Sequence, residues 1–331
     1  MAMSSTAKNI MKFAPLALAV AIAGAIYMGP SKRSDVGTAL TEADFPQVEL
    51  RPLASSTPGD KVEPLWKKWP RLREVSDPQM GVILGDIESH LPKGHQYSDR
   101  NKMTWAHEGT HGINAEIRLK VYGSNMDNFN AFYLLQDRSI VLKEPNVTIS
   151  DVAKEVPSEL HGPSWELYMV EQALIWNDRP LYLMDEWVSY TNGAEAGKEL
   201  NVRGWYYELL QAHNFNVYCL YLAMVMQRDV SNYDDTEFKK FLMWNTDRVF
   251  RISLPSDRTK VDVGFTADRV TRVSNSHICP HHRIEEYGSE VDLKAVEDYV
   301  NKLRTSPAAE PVRKFAREYM GERWCKNVYG F

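Results

Sequence analysis

Two histidines four residues apart with an acid beside the first, His107-Glu108-Gly109-Thr110-His111, are the sharpest chemical feature of this chain. On a helix, residues i and i+4 stand one above the other. Both imidazoles can then present a ring nitrogen to one ion about 2.0–2.1 Å away, the distance at which zinc takes histidine. Glu108 is rotated about 100° from His107. That is too far round for it to join the pair as a ligand, but it can reach a water on the ion. Zinc lowers the pKa of such a water to about 7. A neighbouring carboxylate can take that proton and deliver it to a leaving amine. The residue types therefore point to metal-assisted hydrolysis, with Glu108 as general base.

The elements must place these residues on a rigid wall. Asp99 or Ser98 is the expected cap of a helix that runs through Trp105 to about Val121 and stops at Gly123. On it, Ala106, Thr110, Ile113 and Ile117 form a mostly apolar stripe beside the stripe of His107, His111, Asn114 and Arg118. Ala131–Leu135 and Ser139–Leu142, flanking Gln-Asp-Arg, read as a β-hairpin. Ser164 is placed to cap a helix through Trp176. Asp178 with Pro180 opens another through about Tyr190, closed by Asn192-Gly193. Trp205–Arg228 is apolar but carries Glu208, Gln211 and His213, so it reads as a buried helix. Thr236–Val249, Leu293–Arg304 and Pro311–Trp324 are amphipathic helical patterns. The expected class is α+β, mainly helical with a small β-sheet.

At the His-Glu-x-x-His helix the sequence resembles the zincin metallopeptidases, over about fifteen residues and one downstream segment. The resemblance implies zinc as cofactor and a peptide or protein as substrate. Catalytic zinc keeps three protein ligands and one open position. One zincin branch extends the motif with a glycine and a third histidine, but those positions hold Asn114 and Ile117. The chain is closer to the gluzincins, which take a glutamate from a later helix. Glu186, 75 residues beyond His111, is the best candidate. It sits with Asp185 among Leu183, Met184, Trp187 and Val188, where an uncompensated charge would be costly. Glu195 and Glu166 are the other candidates. Asp185 is placed to orient a ligand histidine through its second ring nitrogen. Tyr190, four residues after Glu186, is placed to donate to an oxyanion. Zincins also hold substrate along an edge strand, for which Ala131–Leu135 or Ser139–Leu142 would serve.

The bulk properties suit this reading. The 331 residues are 44% hydrophobic, enough for a sizeable core, and the net charge is −5 with no basic stripe to meet nucleic acid. Lys8 and Lys12 precede an uncharged run from Phe13 to Met28, between a signal-peptide core and a membrane span in length. We expect residues 1–30 to be a signal peptide or membrane anchor, 31–64 a Pro/Ser/Thr/Gly-containing linker, and 65–331 a zincin-like catalytic domain. The protein would then be membrane-anchored or secreted. His277-Ile-Cys279-Pro-His281-His282 is dense in metal-binding types but lacks a standard zinc spacing. Cys279 and Cys325 could pair in an oxidising compartment, while Cys219 reads as core. A second reading of the same residues is a catalytically inactive zincin-like binding domain of a membrane-tethered envelope protein. A third is a metal-free structural protein.

Overall fold

The computed structural model describes residues 62–123, 128–253 and 293–331. The N-terminal segment, most of the linker and the His277–His282 cluster lie outside the described residues, as does Cys279 and with it any pairing to Cys325.

The helix that carries the His-Glu-x-x-His residues is α2, Lys102–Tyr122, preceded by α1, Val82–His90. Its cap is Asn101, three residues after Ser98 and two after Asp99. The Asn101 Oδ1 accepts from the backbone N–H groups of Met103 (3.0 Å) and Thr104 (3.4 Å). Asp99 instead accepts from the backbone N–H of Asn101 (2.8 Å), anchoring the cap itself. At the other end Gly123 adopts φ 51°, and its N–H reaches the Leu119 carbonyl.

A small antiparallel sheet lies against α2. Its strands are β1 (Lys67–Lys68), β2 (Phe129–Tyr133) and β3 (Arg138–Lys143), in the order β1-β3-β2, with Phe132 opposite Ile140. The turn between β2 and β3 is unusual. Leu135, Gln136 and Asp137 all have positive φ (64°, 54° and 61°) and none is glycine. Each such residue costs about 1–2 kcal/mol. The turn is held by its neighbours: the Gln136 N–H donates to Asp86 (2.9 Å), the Trp69 N–H donates to the Asp137 carbonyl (2.7 Å), and Asp137 meets His90 Nε2 at 2.8 Å.

The remaining helices are α3 (Ile149–Glu155), α4 (Ala173–Trp176), α5 (Tyr182–Glu199), α6 (Trp205–Asp229), α7 (Thr236–Ser253), α8 (Leu293–Thr305), α9 (Glu310–Met320) and α10 (Glu322–Val328). The protein is thus mainly helical with one small sheet. α5 and α6 run through its centre, and nearly every residue of α5 from Tyr182 to Ala194 is buried. No helix among the described residues is long and apolar enough to cross a membrane.

Three expectations about the helices need correction. The Ser164 helix is not one α-helix: a π-helical turn, Glu166–Glu171, precedes the single turn of α4. The Pro311–Trp324 pattern is two helices broken at Gly321, whose φ is 97°. Asn192-Gly193 does not close α5, which continues to Glu199. Both residues are consumed by packing instead. Asn192 donates to Thr110 and to the Tyr133 carbonyl and accepts from Arg248, while Gly193 lets α6 approach.

Candidate metal centre

Three helices converge on one point. α2 supplies His107 and His111, α5 supplies Asp185 and Glu186, and α6 supplies Glu208. The two Nε2 atoms lie 3.1 Å apart. Glu186 Oε2 is 3.4 Å from His107 Nε2 and 3.6 Å from His111 Nε2. These three residues form a group able to hold a metal ion. Tetrahedral ligands at about 2.0–2.1 Å from zinc are separated by roughly 3.4 Å, so the triangle has the right size. Glu186 Oε2 is buried and makes no hydrogen bond. A buried anionic oxygen left in that state is costly unless a cation meets it. The donor set, two imidazoles and a carboxylate, is one that zinc favours.

Each histidine is backed on its other nitrogen by a carboxylate. His111 Nδ1 meets Asp185 Oδ1 at 2.9 Å, and Asp185 is held in turn by Asn114 Nδ2 at 2.7 Å. Asn114 Oδ1 accepts from the Tyr133 N–H (2.6 Å), which ties this arrangement to the sheet. His107 Nδ1 faces Glu208 Oε2 at 3.6 Å. This leaves both Nε2 atoms pointing to the shared centre, the orientation that backing carboxylates impose on metal-binding histidines. The sequence reading missed Glu208 as part of the site. Its only signal was a glutamate in the first turn of an otherwise apolar helix. Gly193 makes room for it: a Cβ there would stand 2.6 Å from Glu208 Oε2.

Electrostatics follow the geometry. Burial by itself would lower His107, but the carboxylates of Glu186 and Glu208 outweigh it and raise its pKa to about 9. His111 is likewise raised, by Asp185 and Glu186 against burial. Burial would raise Glu186, yet the two imidazoles bring it down to about 2. Without a metal, the centre is a tight cluster of imidazolium and carboxylate.

Tyr190 stands beside this cluster, with its ring edge-on to His107 at 4.3 Å between centroids. Its hydroxyl is 3.0 Å from that of Tyr168, in the π-helical turn. Burial, with Tyr207 and Glu186, holds Tyr190 as a neutral phenol. Glu108 is partly exposed and makes no hydrogen bond among the described residues; Tyr97 is the phenol that feels its charge. The side chain of His111 is the most exposed of the three metal-competent residues, at 22% against 9% for His107 and 2% for Glu186. The centre therefore opens on the His111 side.

The other candidates are engaged elsewhere. Glu195 accepts from Arg248 Nε (2.8 Å), and Glu166 is exposed. His161 stacks on Trp165, and His213 meets Ser253 Oγ at 2.9 Å. Of the two candidate substrate strands, β2 is at the edge of the sheet but spends the Tyr133 N–H on Asn114 and its carbonyl on Asn192, and β3 is covered by β1 at Arg138 and Ser139. A second group, Asp86, His90 and Asp137, also clusters. Its members are bound to one another and to Tyr133, and they clasp the β2–β3 turn. No family model matches the chain, and no curated protein and no solved structure is significantly similar to it.

Proposed function

We propose that this protein is a zinc-dependent peptidase with a zincin-like catalytic domain, its zinc held by His107, His111 and Glu186. The observation that carries this reading is the convergence of both Nε2 atoms on a buried Glu186 oxygen that makes no hydrogen bond, each imidazole faced on its other nitrogen by a carboxylate. Zinc seated there would supply a Lewis acid for the scissile carbonyl and a bound water of pKa about 7. The residues of the chain do the rest. Glu108 would take up the proton of such a water on a carboxylate oxygen and release it to the leaving amine. Asp185, hydrogen-bonded to His111 Nδ1, keeps that imidazole in the tautomer that frees Nε2, and the Glu208 carboxylate, 3.6 Å from His107 Nδ1, favours the same tautomer there. The Tyr168 and Tyr190 hydroxyls are 3.0 Å apart and either can donate; with Tyr168 as the donor, the Tyr190 proton would be left for the developing oxyanion. The substrate is a peptide or protein that enters from the His111 side, and the apolar run at Phe13–Met28 fits a membrane-anchored or exported enzyme.

The test is elemental analysis of the purified chain together with cleavage of a pooled quenched-peptide library. We expect one zinc per chain, lost in His107→Ala. Glu108→Gln should keep zinc while its hydrolysis falls about 10²–10⁴-fold. Wild-type cleavage by Glu108→Gln would overturn the mechanism. Zinc retained by a wild-type chain that cleaves no peptide would leave a binding domain in place of an enzyme.

A further inference from the structure

A cavity of about 590 Å³ borders the β2–β3 turn and shares no lining residue with the metal centre. Glu195 of its wall is nine residues along α5 from Glu186, about 13 Å at 1.5 Å per residue. The floor and mouth are largely apolar, from Val75, Val82, Ile83 and Leu135. Three arginines also line it: Arg71, Arg138 and Arg248. Two of them are deeply buried, Arg138 at 4% exposure and Arg248 at 7%.

A buried guanidinium normally finds a carboxylate, because an unpaired charge in low dielectric is costly. Among the described residues only Arg248 of these two has one in contact, Glu195. Arg248 donates through Nε to Glu195 and through a terminal nitrogen to Asn192, but its other terminal nitrogen has no partner. Among the described residues Arg138 donates only to neutral oxygens, the Leu135 carbonyl (3.2 Å) and Gln136 Oε1 (3.2 Å), and rests on the rings of Trp66 and Trp244. The other acids of the wall are committed elsewhere: Asp86 accepts from Tyr133 and the Gln136 N–H, and Asp137 meets His90. Burial, and then the charge of Arg248, lower the Arg138 pKa to about 10 against the raising effect of Glu63, Glu195 and Asp86. At the mouth, Arg71 is exposed with no hydrogen bond or ion pair among the described residues. The positive-φ turn that forms one wall fixes Leu135 and Gln136, and through them the Arg138 guanidinium.

We propose that this cavity is a binding site for an apolar molecule or chain end bearing one carboxylate, seated against Arg138 and Arg248 with its apolar body along Val82 and Ile83. A carboxylate matches the planar, two-pronged donor geometry of a guanidinium. The cavity lies within the range typical of small-molecule sites. Such a carboxylate can come from a free organic acid or from the C-terminus of a peptide. The proposal does not depend on the peptidase reading.

The test is thermal unfolding of the full chain titrated with hexanoate and with N-acetyl-leucine, against hexanamide, N-acetyl-leucinamide and inorganic phosphate. We expect saturable stabilisation by the acids and none by their neutral amides. A tighter response to N-acetyl-leucine would mark a chain end as the natural source, and a tighter response to hexanoate a free acid. Arg248→Gln should weaken binding about tenfold or more. Because Arg248 also holds Asn192 and Glu195, a surface pair serves as the second measurement. Val82 is 77% exposed at the cavity mouth, so Val82→Glu should weaken binding and Val82→Lys strengthen it without disturbing the core. Equal stabilisation by acid and amide, stabilisation by phosphate alone, no saturable shift with either acid, or identical affinities in all three variants would each overturn the proposal.

Discussion

Replacing Gly193 by alanine sets two effects of opposite sign against each other. In a helix interior, Gly→Ala ordinarily stabilises by about 0.8–1 kcal/mol through backbone entropy. At this position the new Cβ would stand 2.6 Å from Glu208 Oε2 and 3.3 Å from both Glu208 Cδ and the Met103 carbonyl oxygen. Overpacking of this kind costs about 1–3 kcal/mol. The backbone contact cannot relax by rotating a side chain, so the clash should win, giving a net loss of about 0–2 kcal/mol. The second consequence is specific. Glu208 must swing away from His107 Nδ1, and losing such a backing carboxylate lowers metal affinity about 10–100-fold. Gly85→Ala is the control: its Cβ would meet only Val75 methyls at 3.7 and 3.9 Å, ordinary contact, so the entropy gain should appear undiminished. Chelator-treated protein is unfolded thermally, then zinc is titrated back with a competing chromophoric chelator. If Gly193→Ala matched Gly85→Ala in stability and bound zinc as tightly as the wild type, the role given to Glu208 would be refuted.

Two further outcomes follow from the same geometry. His107 holds its proton up to about pH 9 in the metal-free fold, above its unfolded value of about 6.5, so its contribution to stability is complete below pH 6.5 and is lost as pH rises through 9. Protons and zinc compete for the same nitrogens, so the zinc-induced rise in Tm should grow between pH 6.5 and 9, and a flat profile would contradict the raised imidazole. Asn114 spans Asp185 and the Tyr133 N–H and is fully buried; Asn114→Leu should therefore cost about 2–4 kcal/mol in denaturant unfolding and loosen zinc through Asp185, whereas a loss under about 0.5 kcal/mol would show that neither hydrogen bond matters.

Much of the fold was legible because its helices are long and its stops are chemical. Gly123 ends α2 by local backbone chemistry, and the polar Gln-Asp-Arg stretch marks where the hairpin turns, although its positive-φ conformation is held by Asp86, Trp69 and His90. The errors fall where tertiary packing overrides local signals. Asn192-Gly193 has the composition of a helix stop, but Asn192 spends its side chain on Thr110, Tyr133 and Arg248, and Gly193 is small because α6 crosses there. Likewise Ser164 precedes a π-helical turn, which widens the backbone around Tyr168 and sets its hydroxyl on Tyr190; no propensity rule encodes that contact.

The site divides along the same line. His107, Glu108 and His111 announce themselves because one helix fixes their mutual geometry, and Asp185-Glu186 stands out because two acids in an apolar helix demand compensation. Glu208 demands it as well, yet a single acid in the first turn of α6 is equally explained by the positive end of the helix. What separates the two explanations is whether its carboxylate faces solvent or an imidazole. It is 5% exposed, 3.6 Å from His107 Nδ1, with Oε2 buried and unbonded. A dipole-capping glutamate would keep its charge in water; this one has surrendered its hydration. The same reasoning distinguishes Arg138 and Arg248 from ordinary surface cations: nothing in their sequence neighbourhoods marks them, and their burial, with Glu195 in contact with Arg248, is a property of the assembled fold.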